Sequence, residues 1–164
     1  MNDRKIIILM LLITAVIIVG AIFVLSSSSA PKISASENAQ AYTIDPTSFD
    51  WGNIEYGGGL VEKTFTIKNN GSDTLNLFNV KTSCHCTKAR VEILGKKSPA
   101  FGMSGVSSWL GEVPPGKEAR LTVIFDPAFH GPQGVGPITR FVSVDTNDKG
   151  NSKLTFTLTG TVVK

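Results

Sequence analysis

The amino-acid sequence predicts an all-β domain, an antiparallel sandwich of seven to nine strands, preceded by one N-terminal transmembrane helix. Three observations lead to this prediction. Residues 6–25 hold 18 apolar side chains in 20 positions. From residue 42 onward, apolar and polar residues repeatedly alternate with the period of two that is typical of half-buried strands. Clusters of Gly, Pro, Asn and Asp separate the alternating runs and predict turns between strands.

The N-terminal segment has the layout of a membrane anchor. Residues 1–5 form a short basic region, with Arg4 and Lys5, that we expect to stay in the cytoplasm. At about 1.5 Å per residue, the apolar run of residues 6–25 reaches about 30 Å, the thickness of the hydrocarbon core. A cleavable signal peptide has an apolar region of only about 7–15 residues, so we favour an uncleaved signal anchor over a cleaved signal. The prediction is a single-pass protein of the cell membrane whose C-terminal domain lies outside the cytoplasm.

The segment after the apolar run differs in composition from the rest of the chain. Residues 26–41 are rich in Ser and Ala and contain no aromatic residue. Such a composition buries too little apolar surface to offset the entropy of ordering, so we predict a flexible linker between the membrane and a domain of residues 42–164. The formal net charge is +3 and the basic residues are scattered, which excludes the basic stripe typical of a nucleic-acid partner.

Several runs within residues 42–164 predict individual strands. The clearest are residues 61–68, 89–93, 121–125, 138–144 and 154–162. One residue breaks the alternation, because Arg140 falls on the face that Ile138, Val142 and Val144 share. The glycine run at residues 57–59 lies between two predicted strands and indicates a hairpin.

Five motifs, one of them made of two segments, carry a resemblance to a known family. They are FDWGNI at residues 49–54, FTIKNNG at 65–71, SCHCT at 83–87, VPPG at 113–116 with VIFD at 123–126, and VDTN at 144–147. Together they resemble the bacterial domain-of-unknown-function family fifteen seventy-three, which belongs with the hydin and major-sperm-protein-like immunoglobulin folds. The resemblance covers about residues 45–163 and implies an immunoglobulin-like sandwich in an extracytoplasmic setting. It implies no activity, and His85 stands where the family usually has Gly.

Cys84 and Cys86 are the most reactive residue types in the predicted domain. On a regular strand they would point to one face with their Cα atoms about 6.6–6.8 Å apart. That separation is at the upper limit for a disulfide, so a bond between them would require a local kink. Metal-bound cysteines, a disulfide and free thiols therefore all stay open. His85 would point to the opposite face unless the backbone turns there.

Two further side chains could complete a soft-metal site. Met103 and His130 each lie in a loop beside glycine, where the backbone can approach a ligand closely. Thiolate and thioether groups favour Cu(I), so Cys84, Cys86, Met103 and His130 together suit copper better than zinc, with His85 as a further candidate. The alternative interpretation is that the cysteines are small buried side chains or a redox-sensitive pair, and that Met103 and His130 serve packing and surface hydrogen bonding.

No catalytic constellation stands out in the sequence. There is no nucleophile elbow with Ser, His and Asp, and no glycine loop that would hold a phosphate after a strand. A Cys-x-Cys pair also lacks the Cys-x-x-Cys spacing of thiol oxidoreductases. We therefore predict a non-catalytic binding or structural module that meets a protein partner on the exported face. The alternative is an exported copper-binding domain.

Overall fold

The structure is a computed structural model that describes residues 10–14, 16–17, 33–104 and 108–164. The chain divides into two compact units, Met1–Lys32 and Ile33–Lys164. In the first unit, residues 10–14 and 16–17 are helical. No helix among the described residues is long and apolar enough to cross a membrane. Most of the predicted anchor at residues 6–25 lies outside the described residues, as do the basic region at 1–5 and residues 26–32 of the predicted linker.

The second unit is a sandwich of two five-stranded sheets, as the alternating runs predict. In chain order the strands are β1 (Ala41–Thr43), β2 (Ser48–Glu55), β3 (Val61–Asn69), β4 (Leu75–Thr82), β5 (Thr87–Ile93), β6 (Lys96–Lys97), β7 (Gly111–Val113), β8 (Glu118–Phe125), β9 (Gly136–Thr146) and β10 (Lys153–Val163). The first sheet has the order β1-β3-β8-β5-β6, and the second has the order β2-β10-β9-β4-β7. A short 3-10 helix, Gly131–Gly134, precedes β9. Three of these ten strands in the described part of the chain have only two or three residues, which explains why sequence patterning predicts fewer.

Two details of the topology differ from the prediction. The second sheet is not wholly antiparallel, because β2 runs parallel to β10, with Phe49 opposite Leu158 and Ile54 opposite Val162. The glycine run at residues 57–59 is not a hairpin, because β2 and β3 belong to different sheets. It is a crossover between the two layers. Local sequence cannot distinguish a hairpin from such a crossover, since both need the same turn chemistry.

The inward-facing side chains of both sheets form the core between the layers. Its largest fully buried members include Phe65 and Phe156, whose ring centroids are 4.7 Å apart. A second, smaller cluster lies at one end of the sandwich and contains Ile54, Phe125 and Cys86. Trp51 stacks on Phe125 at 5.7 Å and links the two clusters. Burial of this apolar surface is the main stabilising contribution to the fold.

The compact unit begins at Ile33, although we expected the domain to begin at Tyr42. The Ser36 amide donates to the Asn147 carbonyl at 2.7 Å, and the Ala39 side chain is buried in the main core. The Ala41 amide donates to the carboxylate of Asp148 at 2.8 Å. Burial acts to raise the pKa of Asp148, but hydrogen bonds from Ala41, Asn151 and Gly150 outweigh it and lower the pKa overall. Residues 36–41 are thus held by hydrogen bonds of their backbone groups, which a compositional argument cannot detect.

Candidate functional site around the Cys84–Cys86 turn

The cysteine pair lies in a turn at one end of the sandwich and not on a strand. Residues 83–86 connect β4 in one sheet to β5 in the other. The Cα atoms of Cys84 and Cys86 are 5.3 Å apart, and the two sulfurs form a disulfide. The segment is therefore not the regular strand on which both side chains would share one face, and of the three states that the sequence left open the structure has the disulfide. The turn supplies the kink that a disulfide at this spacing requires.

Hydrogen bonds on both sides hold this turn in place. The Thr87 amide donates to the Cys84 carbonyl at 3.1 Å, and the Asp126 amide donates to the Cys86 carbonyl at 3.0 Å. The hydroxyl of Thr82, which is buried, lies 3.0 Å from the carbonyl oxygens of both Cys84 and Thr87. These contacts close the end of β4 against the start of β5. The sulfur positions are consequently set by the backbone of the sandwich.

The two sulfurs have different surroundings. Cys86 is 3% exposed and belongs to the smaller core cluster, whereas Cys84 is only partly buried. The Cys86 amide donates to the Cys84 sulfur at 3.3 Å. An incoming molecule therefore meets Cys84 first, because Cys86 lies beneath it.

His130 contacts the exposed side of the pair. Its Nε2 atom lies 3.3 Å from the Sγ atom of Cys84, and its ring packs edge-on against Phe129 with centroids 5.1 Å apart. His130 comes from the connection between β8 and β9, which also crosses from one sheet to the other. Both crossovers lie at the same end of the sandwich, and this brings together residues 46 positions apart. The ligand atoms of Cys84, Cys86 and His130 all lie within 4.8 Å of one another.

Arg140 contacts the buried side of the pair and was not among the predicted site residues. Its Nε atom lies 3.1 Å from the Cys86 sulfur, and its guanidinium carbon lies 5.5 Å from the centre of the Phe125 ring. No carboxylate in the described part of the chain forms an ion pair with it. Burial lowers the pKa of Arg140, although a guanidinium stays charged at neutral pH. The sequence indicated Arg140 only because this residue interrupts the alternation of apolar side chains along β9.

The other predicted ligands lie near the turn in sequence or space. His85 is exposed at the tip of the turn, and the three-residue cluster of ligand atoms in the described residues does not include it. Met103 is 46% exposed and follows Gly102, whose carbonyl accepts a hydrogen bond from the Thr82 amide at 3.2 Å. The loop that carries Met103 therefore runs beside the end of β4.

The comparisons with known proteins agree with this fold. The family model described as "Protein of unknown function (DUF1573)" matches residues 42–99, which include the Cys84–Cys86 turn. This match supports the domain family that the sequence motifs resemble. No curated protein has a sequence that matches this chain.

Solved structures resemble the sandwich at low sequence identity. A protein of unknown function from Porphyromonas gingivalis W83 matches with a TM-score of 0.57 and 18% identity, covering 80% of this chain and 50% of that chain. This chain thus spans half the length of that protein. The PapD-like domain 7 of human CEP192 matches with a TM-score of 0.48, 15% identity and coverage of 84% and 95%. WR4, an MSP family member from C. elegans, matches with a TM-score of 0.39 and 15% identity. That match covers 78% of this chain and 100% of WR4. At 18% identity, the match to the Porphyromonas gingivalis protein shows a similar fold alone.

Proposed function

We propose that this chain is a non-catalytic binding module outside the cytoplasm, tethered to the membrane by its N-terminal segment, and that its reduced form binds Cu(I). The observation that carries the proposal is the cluster of Cys84, Cys86 and His130. Two thiolates and an imidazole are ligands that a soft monovalent copper ion favours. Bonds of about 2.0–2.3 Å to one ion place two ligand atoms at most about 4.6 Å apart, so small movements of these side chains suffice.

Copper binding requires the disulfide to be opened first. In the disulfide each sulfur lacks the thiolate charge that makes it a strong ligand. Reduction supplies two thiols at the same turn, which lose their protons as a metal binds, and His130 already contacts Cys84. Met103, on the neighbouring loop, is the candidate for a fourth ligand, and His85 at the tip of the turn is a weaker one.

The test is an anaerobic titration of Cu(I) into the reduced full chain in detergent, with a competing chelator of known affinity. We expect one equivalent to bind, and His130→Asn to weaken binding about tenfold or more. Asn70→Ala, an exposed position outside the cluster, serves as the matched control. If the Cys84→Ser, Cys86→Ser double variant bound Cu(I) as tightly as the unmodified chain, the copper proposal would be wrong.

The tether is tested separately from the ligand. The apolar run at residues 6–25 supports a spanning anchor with the domain outside. We expect the chain to stay in the membrane fraction after washes with high salt and with alkaline carbonate, and to need detergent for release. Release by either wash would contradict a spanning anchor.

A second candidate function is docking of a protein partner at the same end of the sandwich. Phe129 and Phe141 are 51% and 46% exposed, and aromatic side chains are enriched in interfaces. Phe129 packs on His130, and the backbone of Phe141 hydrogen-bonds with Ser83, so both flank the turn. We infer that the occupant is an exported protein that presents an apolar segment to these rings.

Photo-crosslinking residues placed at Phe129 and Phe141 of the full chain in intact cells test this docking. The control position is Glu118, which is exposed at the opposite end of β8. We expect adducts with one protein from the first two positions and none from the third. The purified partner should bind at least tenfold more weakly to Phe141→Ala. Equal crosslinking at all three positions, or unchanged affinity of the variant, would exclude this surface.

A further inference from the structure

We propose that the Cys84–Cys86 disulfide is a redox-exchange site, in which Cys84 is the sulfur attacked by an incoming thiolate and Cys86 is the leaving group. This inference goes beyond the proposed binding function, because it concerns electron transfer with a dithiol and needs no metal. The molecule that reacts with this disulfide is a protein or small molecule that carries two thiols. Two independent features of the turn support it: the unequal exposure of the two sulfurs and the cation beside the buried one.

The unequal exposure decides which sulfur is attacked. Cys84 is partly exposed at the end of the sandwich, while Cys86 is 3% exposed within the smaller core cluster. Thiol–disulfide exchange begins with attack of a thiolate on an accessible sulfur. Approach to Cys86 is blocked by the side chains that bury it, so the incoming thiolate reaches Cys84.

The cation decides how readily Cys86 leaves. Exchange is faster when the departing thiolate is stabilised, and a nearby positive charge stabilises a thiolate. Arg140 places Nε 3.1 Å from the Cys86 sulfur, and no carboxylate ion pair among the described residues neutralises it. A half-buried guanidinium without an anionic partner is costly in the disulfide form. The negative charge that appears on Cys86 during reduction supplies that partner.

The exchange balances in two steps. A thiolate of the dithiol attacks the Cys84 sulfur, a mixed disulfide forms, the Cys84–Cys86 bond breaks, and its electron pair stays on the Cys86 sulfur beside Arg140. The second thiol of the dithiol, deprotonated to solvent, then attacks its own partner sulfur in the mixed disulfide and expels the Cys84 thiolate, which takes a proton from solvent. The dithiol is oxidised to a disulfide, and the Cys84–Cys86 pair is reduced by two electrons.

This arrangement differs from the thiol oxidoreductases that the Cys-x-Cys spacing argued against. There a helix N-terminus lowers the thiol pKa, and no helix begins at this turn. Here a side chain from β9 in the facing sheet supplies the positive charge. The sequence does not pair Arg140 with the cysteines because the two are 54 positions apart.

The first experiment measures how fast a dithiol reduces the oxidised full chain in detergent. It uses dithiothreitol at one fixed pH with a chelator present, and the thiols are counted by alkylation and mass spectrometry. We expect Arg140→Gln to slow reduction about tenfold and Arg140→Lys to retain most of the rate, because the positive charge is kept. Arg90→Gln, an exposed arginine on β5, is the matched control and should leave the rate unchanged. Equal rates for Arg140→Gln and Arg90→Gln would overturn the role of Arg140.

The second experiment stands even if Arg140→Gln fails to fold. The oxidised full chain is reacted with a small monothiol, quenched with acid and alkylated, and mass spectrometry identifies which cysteine carries the mixed disulfide. We expect the product with the monothiol on Cys84 and the alkyl group on Cys86 to exceed the reverse product at least tenfold. Equal amounts of the two products, or the monothiol mainly on Cys86, would overturn the assignment of Cys84 as the attacked sulfur. Neither experiment contains copper or a protein partner, so its failure is distinguishable from failure of the proposed function.

Discussion

Single residues at the disulfide turn show how little of a site is visible in sequence spacing. Cys84 and Cys86 were identified from their residue type, and their disulfide depends on a turn that a strand pattern did not predict. The structure places His130 beside the cysteines, while its role as a ligand stays a prediction. Arg140 was visible only as an apolar position filled by a charge. Such a break in a pattern is a stronger indication of function than the pattern itself, since burying a charge is costly.

Asn69 is a second polar residue at a buried position, and its hydrogen bonds contribute to the stability of the domain. Its side chain is fully buried, its Nδ2 atom donates to the carbonyls of Asp73 and Val113 at 2.8 and 2.9 Å, and its Oδ1 accepts from the Gly71 amide. Asn69→Ala removes these bonds and leaves buried backbone groups unpaired. We expect the free energy of unfolding to fall by about 3 kcal/mol.

Urea denaturation of the full chain in detergent, followed by intrinsic fluorescence, measures the effect of Asn69→Ala. The control is Asn70→Ala at the exposed neighbouring position, which should change the free energy of unfolding by less than about 0.5 kcal/mol. If the two variants were equally stable, Asn69 would not be the residue that holds this turn.

The secondary-structure elements were predictable where burial alternates along the chain. In β8 and β10 each second side chain is buried, so the period of two appears directly in the sequence. No strand was predicted for β1, β6 and β7, which are too short to show a period, or for β4, in which the alternation of burial is interrupted at Phe78 and Asn79. The order of residues 36–41 was not predicted for another reason, because backbone hydrogen bonds and one small buried side chain, Ala39, hold this segment. Composition reports side-chain burial and does not report backbone pairing.

Gly71 tests whether residues 33–41 are an integral part of the sandwich. A Cβ atom at this position would overlap the carbonyl oxygen of Asn38 and lie 2.7 Å from the Gln40 nitrogen. Because both neighbours are backbone atoms, the segment itself would have to move. We expect Gly71→Ala to lower the free energy of unfolding by about 2 kcal/mol and to increase amide exchange across residues 36–41.

Hydrogen–deuterium exchange with mass spectrometry locates the change. Gly57→Ala is the matched control, because a Cβ atom there has open space and the backbone does not need a positive φ. That variant should behave like the unmodified chain. Protection of residues 36–41 that survives Gly71→Ala would mean that the segment does not pack against this turn.

At the scale of the whole molecule, the order of the strands determines which residues meet at the site. The sequence does not reveal that order. The motifs and alternation indicated a sandwich, but they did not show which crossovers share an end. The Cys84–Cys86 turn and the loop with His130 both pass between the sheets at the end where β8 finishes and β9 begins. Arg140 follows shortly after on β9. The site is therefore a product of topology, assembled from segments that look independent in the sequence.

The disulfide contributes little to holding this fold together. A bond between residues two positions apart closes a very short loop, and the loop-entropy relation then gives below about 2 kcal/mol. Phe156, by contrast, is fully buried against Phe65, and truncating a buried Phe typically costs about 3–5 kcal/mol. We expect the Cys84→Ser, Cys86→Ser variant to lose less than about 2 kcal/mol of unfolding free energy and Phe156→Ala to lose more.

The same comparison decides whether redox exchange and copper binding can occur in the folded protein. Both need the reduced pair within an intact sandwich, since His130 and Arg140 are positioned by strands of both sheets. Urea denaturation with and without dithiothreitol measures the cost of reduction directly, and the double variant serves as its non-reducible control. If reduction lowered the free energy of unfolding as much as Phe156→Ala does, the disulfide would be a bond that the fold needs for its stability. A small loss leaves the pair free to cycle between its two oxidation states while the domain stays folded.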